Sequence, residues 1–139
     1  MKKIIIGLLT VFVLSCARED ATPTTPTIDS FNPAMATLLR QGNLMGTTSY
    51  AVSGVAQLYD DKGKLVLLLD GFSSSNGPDL RVYLSATTGA TSFVNLGKLK
   101  STTGKQSYEI PAGTDLAKFK FVLIWCQQFS VLFGKSETN

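Results

Sequence analysis

Short apolar segments separated by turn residues run from residue 50 to the end of the chain, and they restrict the fold more than any other feature. Residues 50–59 and 64–70 flank the turn sequence DDKG and predict a β-hairpin. Further strands are predicted at residues 80–84, 94–99, 106–110, 119–126 and 129–133. No long amphipathic helix alternates with these segments, so the chain is predicted to be all-β: a single antiparallel β-sandwich or flattened barrel of about seven to eight strands.

The segment before residue 50 gives weaker signals. Residues 17–27 read AREDATPTTPT and contain no apolar side chain larger than alanine, which predicts an extended, solvated tether. Residues 35–40 predict one or two helical turns that end before Gly42.

The N-terminus has the order of a secretory signal. Lys2 and Lys3 precede an apolar run over residues 4–14, which the small residue Ser15 closes. As a helix this run would extend about 16 Å, whereas a bilayer core of roughly 30 Å requires nearer 20 residues. The segment is therefore predicted to be a targeting signal and not a stable membrane span.

The sequence VLSC at residues 13–16 resembles the lipobox of bacterial lipoproteins, in which the cysteine is linked to diacylglycerol and becomes the new N-terminus. This resemblance implies lipidation at Cys16, an anchor with palmitate-type acyl chains, and a location outside the cytoplasm in the bacterial cell envelope. The alternative is an ordinary signal peptide followed by an incidental cysteine. The predicted division is a signal peptide at residues 1–15, the lipidated cysteine and tether at 16–41, and one β-sandwich domain at 42–139.

Charge and composition exclude several functions. Removal of Lys2 and Lys3 lowers the formal net charge from +3 to +1, so no basic surface for nucleic acid is expected. The chain has no histidine, which excludes Ser-His-Asp and Cys-His catalysis and histidine-bound zinc or haem. It also lacks a phosphate-binding P-loop and a GxGxxG sequence.

Cys126 is the candidate redox residue. If Cys16 carries lipid, Cys126 has no partner for a disulfide within the chain, which is unusual for a thiol in an oxidising compartment. A thiol that is exposed near positive charge would be reactive, whereas a buried one would be a small hydrophobic core residue. Both alternatives remain open from the sequence.

Two further groups of residues are candidates for binding. The loop DGFSSSNGPD at residues 70–79 contains oxygen ligands suited to a hard cation, but its spacing matches no known calcium loop, and no metal is predicted. Aromatic residues around Cys126 could line a pocket, although their period-two spacing favours a core role. Trp125 and Asp79 are the predicted ligand-binding residues of these two groups. The aromatic set comprises Phe119, Phe121, Trp125, Phe129 and Phe133.

Several short motifs in order resemble the DM-thirteen domain family, also called the electron-transfer DM domain. They are DGFS at residues 70–73, GPDLRVYL at 77–84, LGKLK at 96–100, GKQSYEIP at 104–111 and IWCQQFSVLFG at 124–134. The resemblance covers approximately residues 42–134. It implies an extracytoplasmic, β-rich domain linked to electron transfer, and it places the proposed redox cysteine at Cys126, either as a thiol or as a cofactor ligand.

Two functions are therefore predicted. The first is a membrane-anchored envelope lipoprotein with redox or electron-transfer activity through Cys126 and an unknown envelope or redox partner. The second is a non-catalytic binding or structural module that presents residues 73–77 to a partner at the cell surface. No cofactor is firmly implied, and haem at Cys126 would require Met35 or Met45 as its second ligand because the chain has no imidazole.

Overall fold

The computed structural model describes residues 21–139, and these form two antiparallel β-sheets packed face to face. A short 3-10 helix at Pro33–Met35 precedes the strands. The strands are β1 (Thr37–Asn43), β2 (Met45–Gly46), β3 (Val52–Asp61), β4 (Lys64–Ser74), β5 (Leu80–Ser85), β6 (Phe93–Lys98), β7 (Gln106–Glu109), β8 (Phe121–Cys126) and β9 (Val131–Glu137). The predicted signal peptide, Cys16 and the first part of the tether lie outside the described residues.

One sheet has the strand order β1-β3-β4-β7 and the other has β2-β9-β8-β5-β6. The sheets do not close on each other, so the prediction of an antiparallel sandwich is confirmed and its barrel alternative is wrong. Every strand predicted from the alternating pattern is present. Among the described residues, no helix combines the length and apolar character needed to cross a membrane.

The two strands that the sequence did not predict lie at sheet edges. β1 covers most of the segment predicted as helical turns, so that prediction is wrong beyond Met35. Its side chains are mostly exposed, including both Leu38 and Leu39, so no alternation of apolar and polar residues marks it as a strand. β2 has only two residues and pairs with β9.

The core lies between the sheets and is built from the inward side chains of alternating positions. In β8 these are Val122, Ile124 and Cys126, all fully buried. Their partners on the neighbouring strand β5 include Val82 and Leu84. The face of β8 that carries Leu123 and Trp125 therefore lies on the outside of its sheet.

Residues 21–31, which we name the strap, cross the outer face of the other sheet. The Asp29 carboxylate accepts hydrogen bonds from the Ser107 hydroxyl (2.8 Å) and the Ser107 backbone N–H in β7. The Phe31 ring packs edge-on against Tyr59 in β3, with 5.4 Å between the ring centroids. Leu68 in β4 pairs with Ser107 and shares this face, which explains why β4 is buried on both sides.

The strap also differs from the solvated tether expected for its first residues. The backbone N–H of Thr22 donates to Asn76 Oδ1 (3.1 Å), and Asn76 Nδ2 donates back to the Thr22 carbonyl (2.9 Å). Further along, the Thr102 backbone N–H donates to the Pro23 carbonyl (2.8 Å). Backbone hydrogen bonds hold this segment, and its lack of apolar side chains gave no sign of them. The division between tether and domain at residues 41 and 42 stays a prediction.

Candidate functional site

Cys126 is the last residue of β8, at the end of the sandwich that we name the cysteine end. This end consists of the β4–β5 loop at residues 75–79, the β8–β9 turn at residues 127–130, and the start of the strap. Cys126 pairs with Leu80 in β5 and Val131 in β9, so its side chain is enclosed on both sides within the sheet. Its exposed fraction is 0%.

The Cys126 thiol is held by the loop that covers it. Its Sγ donates a hydrogen bond to the Pro78 carbonyl at 2.9 Å. The next residue, Gln127, donates its backbone N–H to the Asp79 carbonyl at 3.0 Å. The β4–β5 loop is therefore fastened to the end of β8 at two successive residues. The thiol acts here as a hydrogen-bond donor and is shielded from solvent while the loop is closed.

An apolar recess lies on the other side of the same loop. It has a volume of ≈ 470 Å³ and is lined by Ala21, Asn76, Gly77, Pro78, Gln128 and Phe129. Pro78 both lines this recess and accepts the thiol hydrogen bond, so it is the barrier between the recess and Cys126. The Phe129 side chain is 61% exposed at the rim. Movement of this loop would expose the sulfur to the recess.

Trp125 and Cys126 are adjacent in sequence but lie on opposite faces of the sheet. Trp125 lies directly opposite Arg81 in β5, on the outer face. Arg81 Nε donates to Asp79 Oδ1 at 2.6 Å, so the two predicted ligand-binding residues are linked through this arginine. The structure therefore places Asp79 and Trp125 near each other and separates both side chains from the thiol. Their role in ligand binding stays a prediction.

The outer face carries an aromatic row that sequence reasoning missed. Tyr83 stacks against Phe93 with 4.2 Å between ring centroids, and Trp125 lies 6.3 Å from Tyr83 on its other side. Burial raises the pKa of Tyr83; the Arg81 charge opposes this effect and the Asp79 charge adds to it. The alternating pattern of residues 80–84 places Tyr83 on the same face as Arg81. This pattern is the sequence signal that could have indicated the aromatic row.

The aromatic set predicted to form the core divides between several environments. Phe133 is buried in the core and Phe119 packs against it. Phe121 and Trp125 are half-buried on the outer face, and Phe129 is exposed, so the prediction of a core role is wrong for these three residues. Phe129 follows the end of β8, where the chain turns and the period-two pattern no longer applies.

The oxygen-bearing side chains of the 70–79 loop have separate partners. Asn76 binds the strap, Asp79 binds Arg81, and the Ser74 hydroxyl donates to the Ser75 carbonyl. Within the part of the chain that the structure describes, no cluster of three or more His, Cys, Asp or Glu side chains could hold a metal ion.

The haem alternative stays a prediction, and the residues as placed do not fit it. Met45 pairs with Lys135 in β9, whereas Cys126 pairs with Val131, so the two positions are about 13 Å apart along the strand. Met35 follows the strap and lines a different recess with Asp61 and Lys62. Neither methionine supplies a second ligand opposite the buried thiol.

The fold and the covered thiol define a β-sandwich domain with one cysteine at the end of a central strand. The family profile described as electron transfer DM13 matches residues 44–137. This match covers more than half of the chain, and the protein belongs to the DM13 family. It includes Cys126, the loop that covers it and the aromatic row, whereas the strap and all of β1 precede it. No curated protein and no solved structure matched the chain.

Proposed function

We propose that this protein is a lipid-anchored envelope lipoprotein whose DM13 domain takes part in electron transfer through the Cys126 thiol. The observation that carries the proposal is the position of the sulfur at the end of β8, beneath one loop and beside the apolar recess. A cysteine in the middle of the core would need global unfolding to react. At this end of the strand, displacement of the covering loop would open a path to it.

The proposed chemistry is thiol–disulfide exchange. After the covering loop moves, Cys126 loses its proton to solvent and the thiolate attacks one sulfur of a low-molecular-weight disulfide. A mixed disulfide forms on Cys126, the disulfide bond of the reagent breaks, and one thiolate leaves. A second thiol, on a partner or in solution, reverses the step and returns Cys126 to the reduced state. No second cysteine of the described domain is needed for this cycle.

The test compares the reaction rate of Cys126 with the rate of global unfolding. The native full chain is incubated with oxidised glutathione, and the adduct is followed by intact mass. We expect an adduct to form much faster than the protein unfolds, since the covering loop opens locally. The Cys126→Ser variant is the control, and any adduct that it still gives lies on Cys16 and is subtracted. A reaction that occurs only at the global unfolding rate would rule out this redox role.

A non-catalytic binding module is the second candidate, and the complete burial of Cys126 favours it. In this case the cysteine is a core residue and the loop at residues 73–77 is the interaction surface. Cys126→Ala would then lower the free energy of unfolding without changing any redox response. Loss of a redox response in a variant that remains folded would count against the binding module.

The lipid anchor is tested separately, by intact mass. Intact mass of the protein from a bacterial membrane fraction should show a diacylglycerol-modified N-terminal Cys16. The Cys16→Ser variant should lack the acyl chains and leave the membrane fraction. An unmodified N-terminus on the wild-type chain would contradict the anchor.

A further inference from the structure

The position of the strap fixes the point at which the chain leaves the described domain. Thr22 is buried and its backbone forms the reciprocal pair of hydrogen bonds with Asn76, in the loop that covers Cys126. Ala21 lines the apolar recess together with Phe129, and it also lines a second recess with Lys98. The chain therefore departs at the cysteine end of the sandwich.

The number of residues before this point limits the distance to the proposed anchor. Five residue steps separate Cys16 from Ala21, and a fully extended chain covers at most about 18 Å over that length. β4 alone, with 11 residues, extends about 36 Å. With lipid on Cys16, the cysteine end stays close to the bilayer surface in every orientation of the domain. This step rests on the anchor in the proposed function.

The surface at the cysteine end suits a membrane interface. Phe129 is a large exposed aromatic side chain on a turn, a type of group that partitions into the boundary between lipid headgroups and acyl chains. Lys98 is exposed beside Ala21 and can interact with lipid phosphates. The nearby carboxylate of Asp79 is already paired with Arg81. Apolar and cationic groups thus lie together at the end that the anchor holds near lipid.

We propose that the cysteine end docks on the bilayer that carries the anchor, with Phe129 inserted at the headgroup boundary and Lys98 at the phosphates. In this arrangement the lipid surface covers the rim of the recess. The loop that covers Cys126 lies at this contact, because Gly77 and Pro78 line the same recess as Phe129.

The experiment places a fluorescent residue at each end of the sandwich. Phe129→Trp and Phe93→Trp are made separately in a Trp125→Phe background, which removes the only native tryptophan. Phe93 is the matched control: it is also an exposed phenylalanine (41%), but it pairs with Ser85 at the opposite end of β5. The lipidated full chain is reconstituted in vesicles of phosphatidylethanolamine and phosphatidylglycerol at about 3:1, with or without brominated lipid.

We expect brominated lipid to quench the Phe129→Trp signal at least about threefold more strongly than the Phe93→Trp signal. Lys98→Glu should reduce this difference, since it replaces an attraction to anionic lipid by a repulsion. Equal quenching of both variants, or none, would overturn the proposal, and a protein partner that covers Phe129 would also leave its signal unquenched. Near-UV circular dichroism confirms that each variant is folded.

These outcomes are distinct from failure of the proposed function. If Cys126 does not react with disulfides but Phe129→Trp is quenched, the docking stands and the redox role fails. If intact mass shows no acyl group on Cys16, both the anchor and the docking fail, while reactivity of Cys126 is unaffected.

Discussion

The two ends of the sandwich are closed in different ways. At the opposite end, the turns after β3 and β7 form bonds within themselves: Gly63 N–H donates to Asp60 Oδ1 (2.6 Å), and the Asp115 carboxylate accepts from Ala117 and Lys118. Thr138 adds one longer-range bond there, to the Lys120 carbonyl. At the cysteine end and along the strap, the bonds join segments far apart in sequence, as between Thr22 and Asn76. Local turns can form early and independently, whereas the cysteine end is complete only when several distant segments have assembled.

Removal of one carboxylate from the strap and one from the opposite end tests this difference. Asp29 is 5% exposed at its side chain and binds Ser107, Phe31 and, at 4.0 Å, Lys100. We expect Asp29→Ala to lower the free energy of unfolding by about 3 kcal/mol, since buried donors lose a charged acceptor. Asp115→Ala should have a clearly smaller effect, because water replaces the lost bonds. Urea unfolding of both variants measures the difference, and equal losses would contradict it.

Adding a methyl group at each end of the sandwich compares how tightly the two ends are packed. A Cβ at Gly77 would lie 2.7 Å from Cζ of Phe133, a buried ring that stacks on Tyr50. We expect Gly77→Ala to cost about 2 kcal/mol through this overpacking. A Cβ at Gly89, in the β5–β6 turn of the opposite end, would meet nothing within 4 Å. Gly89→Ala should stay within about 0.5 kcal/mol of wild type in thermal or urea unfolding. A large loss at Gly89 would show that the opposite end is packed more tightly than its contacts indicate.

The third prediction concerns access to Cys126. Asn76→Ala removes both hydrogen bonds that join the strap to the covering loop. A loss of about 1.4 kcal/mol in the stability of the closed loop corresponds to tenfold faster maleimide labelling of Cys126. Asp60→Ala, which removes one local turn bond, is the control and should leave the labelling rate unchanged. Equal rates in wild type and Asn76→Ala would show that the strap does not restrain the loop.

The smallest expected effect is a pH dependence of the strap contact. Burial acts to raise the pKa of Asp29, but hydrogen bonds from Phe31 and Ser107 and the charge of Lys100 outweigh it and hold the pKa below its ordinary value of 3.8. Asp29 therefore stabilises the fold above this ordinary value, and its contribution is lost as the pH falls through the lower folded-state pKa. Comparison of wild type with Asp29→Asn by urea unfolding at a series of pH values measures this loss. An unchanged difference between pH 6 and pH 2 would contradict the assignment.

The contrast between the ends also explains how much of the structure could be predicted. The hairpin around residues 60–63 and the alternation in β8 depend on neighbouring residues, so the sequence pattern indicated them directly. The strap was missed because its stability comes from hydrogen bonds to Thr102, Ser107 and Asn76, far along the chain. No property of residues 21–31 themselves indicates these partners.

The same distinction between local sequence patterns and long-range contacts applies to the candidate site. Cys126 was identifiable as an unusual single thiol, and its alternation with Trp125 gave the opposite faces correctly. The acceptor that holds it is the Pro78 carbonyl, a backbone group without any sequence signature. Phe129 was misplaced because a period-two argument was carried past the end of the strand.

The strap has a consequence for how such chains can vary in length. A linker between an anchor and a domain ordinarily tolerates inserted or deleted residues. Here the contacts at Thr22, Pro23 and Asp29 have fixed spacing, because their partners lie on a rigid sheet and its loops. An insertion between residues 22 and 29 would shift some of these residues away from their partners while the others stay in place. Natural changes in linker length should therefore be confined to positions before this segment.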